Sequence, residues 1–188
     1  IEDKKDALIN LSKRVIRRIG DKVPKHLVII PDGNRRWAKE RGLEVWEGHR
    51  KSLDNIGDLI KEAKEIGITH FTLWGFSTEN WKRDDKEVKW LFKAFGEALK
   101  TFRKEAIENE IAFHHLGRKD RLPKDLIDSI NKLEEDTRHF DKNHLSIALD
   151  YGGRDEITRA INAVKELPRK VEESDINNAL DTHGFPDV

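Results

Sequence analysis

Apolar positions along the chain fall into two alternating patterns, short solid blocks and stripes at helical spacing. Leu8, Leu11, Val15 and Ile19 form a stripe through residues 3–19 with basic residues around it. This predicts an amphipathic helix that stops at Gly20, with Pro24 as a spacer. His26-Leu27-Val28-Ile29-Ile30 is a solid block and predicts a strand; Pro31-Asp32-Gly33-Asn34 after it is written in turn residues. Helical spacing runs from Arg35 to Arg41-Gly42 and again over about 48–66, where Leu53, Ile56, Leu59, Ile60 and Ala63 are expected to face inward and Gly67 to close the helix. His70 to Phe76 predicts a second strand and Trp81 to Asp85 a loop. Glu87 to Asn109 predicts a long amphipathic helix, Ile111 to Leu116 a strand, Lys124 to Thr137 a helix and Leu145 to Leu149 a strand. Arg154 to Glu166 and, more weakly, Glu173 to Leu180 close the series as helices.

Short apolar strands alternating with helices predict an α/β fold: a mainly parallel sheet with helices on both faces. Ligands of such sheets gather beyond the carboxyl ends of the strands. The loops after Ile30, Phe76, Leu116 and Leu149 are therefore the places to search for chemistry. With 188 residues and no internal repeat or low-complexity linker, the expected organisation is an N-terminal helix over 1–20 and one domain over 21–188.

Composition narrows the function. Lys plus Arg and Asp plus Glu both number 36, so the formal charge is zero and a generic nucleic-acid coat is disfavoured. The absence of cysteine removes disulfides, thiolate metal sites and a Cys nucleophile. Methionine is absent too, and the chain begins at Ile1, which suggests a processed or trimmed form. Charged residues reach 38%, but the apolar ones are too regularly placed for disorder. The longest uninterrupted apolar run is Leu27 to Pro31, and no signal peptide is visible, so a cytoplasmic protein is expected.

The loop after the first strand is the most unusual. Asp32, Gly33, Asn34, Arg35, Arg36 and Trp37 place a carboxylate at a strand end, then a glycine, then two guanidinium groups at a helix start. Glycine lets an anion approach the backbone, and arginine forks match phosphate oxygens. A carboxylate beside them suits a divalent cation between protein and pyrophosphate. An N-cap aspartate with surface arginines is the plain alternative. Ser77, Thr78, Glu79, Asn80, Trp81 and Arg83 after the second strand offer hydroxyls, an amide and another guanidinium. Glu79 stands where a nucleophile elbow needs its second glycine, so Ser77 is not read as a nucleophile. His114 and His115 adjoin on a strand and must face opposite sides, one packed and one wet. Tyr151-Gly152-Gly153 reads as a tight strand-to-helix turn. Neither a Walker sequence nor G-x-G-x-x-G is present.

At these loops the chain resembles the cis-prenyltransferases, the family of undecaprenyl diphosphate synthase. His26 through Ala38 resembles the family's opening signature, with Gly48-His49 at the family spacing. Phe76-Ser77-Thr78-Glu79-Asn80-Trp81, followed by Arg83 and Glu87, is similar to the second block, and Tyr151-Gly152-Gly153-Arg154 to the third. The resemblance implies condensation of isopentenyl diphosphate units onto an allylic prenyl diphosphate, with cis double bonds and a long polyprenyl diphosphate carrier as product. It implies Mg²⁺ as cofactor, with Asp32 engaging the metal and essential to catalysis. It assigns Gly33, Asn34, Arg35 and Arg36 to the diphosphate cradle, with Trp37 and His49 beside it. Ser77, Thr78, Glu79, Trp81 and Arg83 become substrate contacts and Asn80 a proton acceptor. A neutral amide has little basicity, so orienting the substrate is the more physical role for Asn80. A homodimer and peripheral membrane contact through the basic segment before Gly20 are further implications. A helix packed on the body of the protein is the plainer alternative for that segment.

Several positions depart from the family pattern. Pro31 replaces a methionine, and Asp84 a proline in the flexible loop. Val45 falls where bacterial members carry an arginine, so that phosphate contact is lost or supplied by Lys39 or Arg41. Gly75 is a small residue on a strand expected to line the tunnel. The family's later strand, Arg-x-Ser segment and glutamate, which hold isopentenyl diphosphate, are not in the sequence. The expectation is therefore a C-terminally truncated domain with a starter half-site and little turnover alone. The competing functions are a non-catalytic subunit of a heteromeric prenyltransferase and a metal-dependent phosphohydrolase.

Overall fold

Residues 23–186 are described in a computed structural model of the chain. The predicted 3–19 helix lies outside the described residues. Four strands form the sheet: β1 (His26–Ile29), β2 (His70–Ser77), β3 (Ile111–Leu116) and β4 (Asn143–Tyr151). Their order is β1-β2-β4-β3, and every neighbouring pair is parallel. The helices are α1 (Asn34–Glu40), α2 (Val45–Glu65), α3 (Asp85–Glu108), α4 (Lys124–Thr137), α5 (Gly153–Val164) and α6 (Glu173–Ala179), with a 3-10 segment at Thr78–Lys82.

Strand register explains the two faces. Leu27, Phe71, Leu145 and Phe113 stand in one row across the sheet. With Leu73, Ile147 and Leu149 they meet Ile56 and Ala63 of α2, the Val88–Leu99 stripe of α3, and Leu126, Ile130 and Leu133 of α4. Burying this row is the main stabilising term of the fold. Thr137 ties α4 to β3: its hydroxyl donates to the Leu133 carbonyl at 2.7 Å and accepts from Phe113 N–H at 3.0 Å.

The opposite face is polar. His26, His70 and His144 stand in one row, and Val28, Thr72, Ser146 and His114 in the next. His70 and His144 stack at 4.2 Å, and His114 and His144 at 5.3 Å. Phe185 packs against His26, His70 and His114, and the Pro186 carbonyl accepts from His26 Nδ1 at 3.0 Å. The C-terminal segment is fixed below α5 by Glu156, which accepts from the Tyr151 hydroxyl at 2.6 Å and from Thr182 N–H at 3.2 Å.

Burial lowers the pKa of His70, with repulsion from His144, His26 and His114 adding to it, to about 4. Burial lowers His114 and His115 as well. In the unfolded chain these rings take protons near their ordinary value, whereas the folded rings resist. The unfolded state therefore binds more protons between about pH 6.5 and 4, and stability falls as pH drops through that window. The melting temperature is expected to fall by roughly 5 °C or more between pH 7 and pH 5, and His70→Phe to flatten that dependence. Thermal denaturation followed by circular dichroism checks both.

The structure corrects several local expectations. The second long helix starts at Val45 rather than near 48, because Glu47 reaches back to Glu44 N–H at 2.9 Å and caps the first turn. The 81–85 stretch is not wholly loop: Trp81 and Lys82 belong to the 3-10 segment, and Asp85 begins α3 after Asp84 accepts from Lys86 N–H. Leu59 is exposed rather than inward. His114 and His115 do face opposite sides, but both are half-buried, His114 against His144 and His115 against the Leu149 carbonyl. Among the described residues no helix is long and apolar enough to cross a membrane.

Candidate active site

Parallel strands bring the loops after β1, β2 and β4 to one edge of the sheet. After β1 the chain turns at Gly33, whose φ of 90° favours glycine. Asp32 is solvent-exposed; its Oδ1 accepts from Gly33 N–H at 2.6 Å and its Oδ2 from Arg36 Nη2 at 3.0 Å. Both donors are thus engaged by Asp32 within its own loop. Trp37 lies under the Arg41 guanidinium at 4.6 Å, and Arg41 also donates to the Trp37 carbonyl. Arg41, one of the two cations expected to replace an arginine at Val45, is thus engaged by Trp37.

The start of α2 lies against α1 at Gly48. A Cβ there would sit 2.2 Å from the Asn34 carbonyl oxygen. The next residue, His49, is buried and faces Asn34: its Nδ1 lies 3.4 Å from Asn34 Nδ2, and its Nε2 3.2 Å from Glu87 Oε1. Burial lowers the His49 pKa against the opposing effect of the Glu87 hydrogen bond. A neutral ring that donates from Nε2 to Glu87 and accepts at Nδ1 from Asn34 satisfies both contacts.

After β2, Ser77 N–H donates to Asn80 Oδ1 at 3.1 Å. The Asn80 side-chain carbonyl is thereby engaged by the backbone. Thr78 packs over Gly152, where a Cβ would lie 2.8 Å from Thr78 Oγ1. Glu79 is exposed. Trp81 packs on Phe76 and Phe92 and donates from Nε1 to Asp150 Oδ1 at 2.8 Å.

Glu87 joins the loops. Its carboxylate accepts from Arg83 Nη1 at 3.2 Å, meets His49 at 3.2 Å and lies 3.8 Å from Arg35 Nε. Two guanidinium groups share one carboxylate, so the cluster retains positive charge for an anion. No role for Glu87 is evident from the sequence. Its i,i+4 spacing to Arg83 was the visible signal, while its contacts with Arg35 and His49 come from other elements. Asn34, Arg35, His49, Arg83 and Glu87 are therefore one connected group; Asp32 and Arg36 pair beside it, and Ser77 and Asn80 form a separate pair.

The polar group opens onto apolar surface. A small cavity of about 50 Å³ runs from Asn34, His49 and Arg83 to Leu53, Ala94 and Phe95. Leu53 and Ala94 also line a groove of about 560 Å³ between α2 and α3. A third hollow of about 390 Å³ borders Asp32, Gly33, Asn34 and Lys51. Among the described residues no three His, Asp or Glu side chains converge on a metal-sized site. Asp32 is a solvent-exposed carboxylate at this end of the sheet.

The family model described as "Putative undecaprenyl diphosphate synthase" matches residues 30–188. The chain belongs to the undecaprenyl diphosphate synthase family of prenyltransferases. It is 40% identical to the isoprenyl transferase of Aquifex aeolicus over 88% of this chain and 72% of that protein. Its identity to the isoprenyl transferase of Fusobacterium nucleatum is 42%, over 88% and 72% of the two chains. Lavandulyl diphosphate synthase from Lavandula x intermedia, solved with dimethylallyl diphosphate, superposes with a TM-score of 0.78 at 34% identity, covering 85% of this chain and 71% of that one. A Campylobacter jejuni structure described as a probable undecaprenyl diphosphate synthase gives 0.69 at 29% identity, over 84% and 69%. The prenyltransferase match thus spans both loops and the cavities between them. None of these relatives supports the phosphohydrolase reading.

Proposed function

We propose that this prenyltransferase binds an allylic diphosphate across the β1 and β2 loops and condenses isopentenyl diphosphate onto it to build a long cis-polyprenyl diphosphate. The observation that carries this reading is the continuity of the Asn34–His49–Arg83 cluster with the apolar slot toward Leu53, Ala94 and Phe95. A molecule with a charged head and an isoprenoid tail needs both halves side by side. Gly33 N–H, Arg35, Arg36 and Arg83 are the donors for the diphosphate, Ser77 and Thr78 border it, and the groove between α2 and α3 receives the growing chain. Asp32 would hold Mg²⁺, which when bound stabilises charge on the departing pyrophosphate. His49, neutral and buried, keeps Asn34 and Glu87 in place. The same reading carries a second copy of the chain as partner and membrane contact through the basic residues 3–19, which suits a lipid product.

Asn80 orients substrate through its NH₂ group rather than taking a proton. Asn80→Asp keeps the oxygen that accepts from Ser77 N–H but replaces the donor by a negative oxygen. It is expected to fold normally and to lose about 10²-fold in isopentenyl incorporation, as for a lost transition-state donor. Steady-state incorporation of labelled isopentenyl diphosphate by Asn80→Asp and Asn80→Ala checks this. Full activity in the Asp variant would remove the donor role, and full activity in the Ala variant would remove both roles.

A further inference from the structure

Asp150 is fully buried at the end of β4 and has a left-handed backbone with φ 54°. Nothing in the proposed reaction uses its charge. Arg121 Nε donates to its Oδ2 at 2.7 Å, and Nη2 completes a fork on Oδ1. Oδ1 also accepts the Trp81 indole N–H at 2.8 Å, and the Arg121 guanidinium lies 5.5 Å from the centre of the Trp81 ring. Trp81 is thereby held on two sides, by Phe76 and Phe92 on the apolar side and by the Asp150–Arg121 pair on the polar side. Asn80 precedes Trp81 directly, and Arg83 follows two residues later.

Filling the core does not require this carboxylate. A buried ion pair is a poor source of stability compared with apolar packing, and its best use is to fix one arrangement among several. The arrangement fixed here is that of the 3-10 segment. Trp81 is its anchor, and rotation of that anchor would carry Arg83 away from the cavity it lines with Asn34 and His49 and disturb the Ser77–Asn80 pair.

We propose that Asp150, clamped by Arg121, is a positioning residue that sets the Thr78–Arg83 segment for binding of the starter diphosphate by holding the Trp81 indole. This rests on the proposed function. Asp150 touches no substrate and acts through Trp81.

The test is a mutant cycle read by affinity for an unreactive allylic thiolodiphosphate, with melting temperature and amide hydrogen exchange of residues 78–83 measured alongside. Asp150→Gly suits the left-handed backbone and removes the bonds to Arg121 and to Trp81. Asp150→Asn keeps an acceptor for the indole. Trp81→Phe removes the indole N–H and keeps a ring. Asp150→Gly is expected to weaken affinity about tenfold and Asp150→Asn to recover most of it, while in the Trp81→Phe background Asp150→Gly adds less than about twofold. Exchange across 78–83 should quicken in Asp150→Gly and in Trp81→Phe. Lowered melting temperature with unchanged affinity and exchange, or losses that multiply in the double variant, would overturn the proposal. If Asp150→Gly does not fold, Trp81→Phe alone decides it: unchanged affinity and exchange overturn the role. If Asn34→Ala and Arg83→Ala leave affinity unchanged, the functional reading has failed instead; the Asp150 coupling is then judged by exchange across 78–83, where absence of quickening overturns it.

Discussion

Asp32→Ala is expected to lower isopentenyl incorporation at least about 10²-fold while moving the melting temperature by less than about 2 °C. The two halves of this expectation have separate physical causes. The Asp32 side chain is 85% exposed and joins no apolar cluster, so its removal costs little folding energy. Its two bonds are to Gly33 N–H and to Arg36, both on its own loop. Removing the carboxylate frees those donors, so ground-state binding of a diphosphate should persist or strengthen. What is lost is the oxygen that would hold Mg²⁺ at the leaving group, where charge develops only as the bond breaks. The checks are incorporation kinetics, starter affinity and thermal denaturation of the same variant. Unaltered turnover would exclude Asp32 from the mechanism.

Gly48→Ala should show the opposite profile, with the fold and the site failing together. The added Cβ would lie 2.2 Å from the Asn34 carbonyl oxygen, 2.9 Å from its carbon and 3.3 Å from Ala38 Cβ. Backbone cannot yield as a side-chain tip can, so α1 and α2 must separate. Overpacking of this kind costs about 1–3 kcal/mol. The separation also draws Asn34 from His49, so starter affinity is expected to fall by tenfold or more. Gly57→Ala is the internal control. It lies on the same helix with nothing within 4 Å of its added Cβ, and it should stabilise the protein by about 0.5–1 kcal/mol. Denaturant unfolding of both variants distinguishes a local clash from a general intolerance of α2 to change.

The sheet was legible because its strands are solid apolar blocks bounded by turn residues. His26–Ile30 and Ile111–Leu116 were recognisable from composition alone. The start of α2 was not, because glutamate is a poor N-cap residue and Glu44 still caps through Glu47. The 3-10 segment is too short to show a period. Leu59 lies beside the stripe of Leu53, Ile56 and Ile60 in sequence, but the helix turns it to solvent.

The site divides in the same way. Residues whose role lies in their own loop, such as Asp32, Gly33 and Arg36, stood out in the sequence. Glu87 and Asp150 did not, because their partners are distant along the chain. Glu87 gathers His49 and Arg35 from the α2 and α1 segments, and Asp150 gathers Trp81 and Arg121 from the loops before and after the α3–β3 unit. The histidine array was also hidden: His26, His70, His114 and His144 are single letters on four strands until register aligns them.

The central claim is that the polar cluster and the apolar slot join a charged starter to a new five-carbon unit. It is tested by incubating the full-length gene product with an allylic diphosphate, labelled isopentenyl diphosphate and Mg²⁺, then measuring label in the organic-extractable product together with released pyrophosphate. The prediction is label in a lengthened prenyl diphosphate whose new double bonds are cis, with one pyrophosphate released per unit added. Phosphate or pyrophosphate release without a new carbon–carbon bond, or failure to elongate any allylic starter, would contradict it.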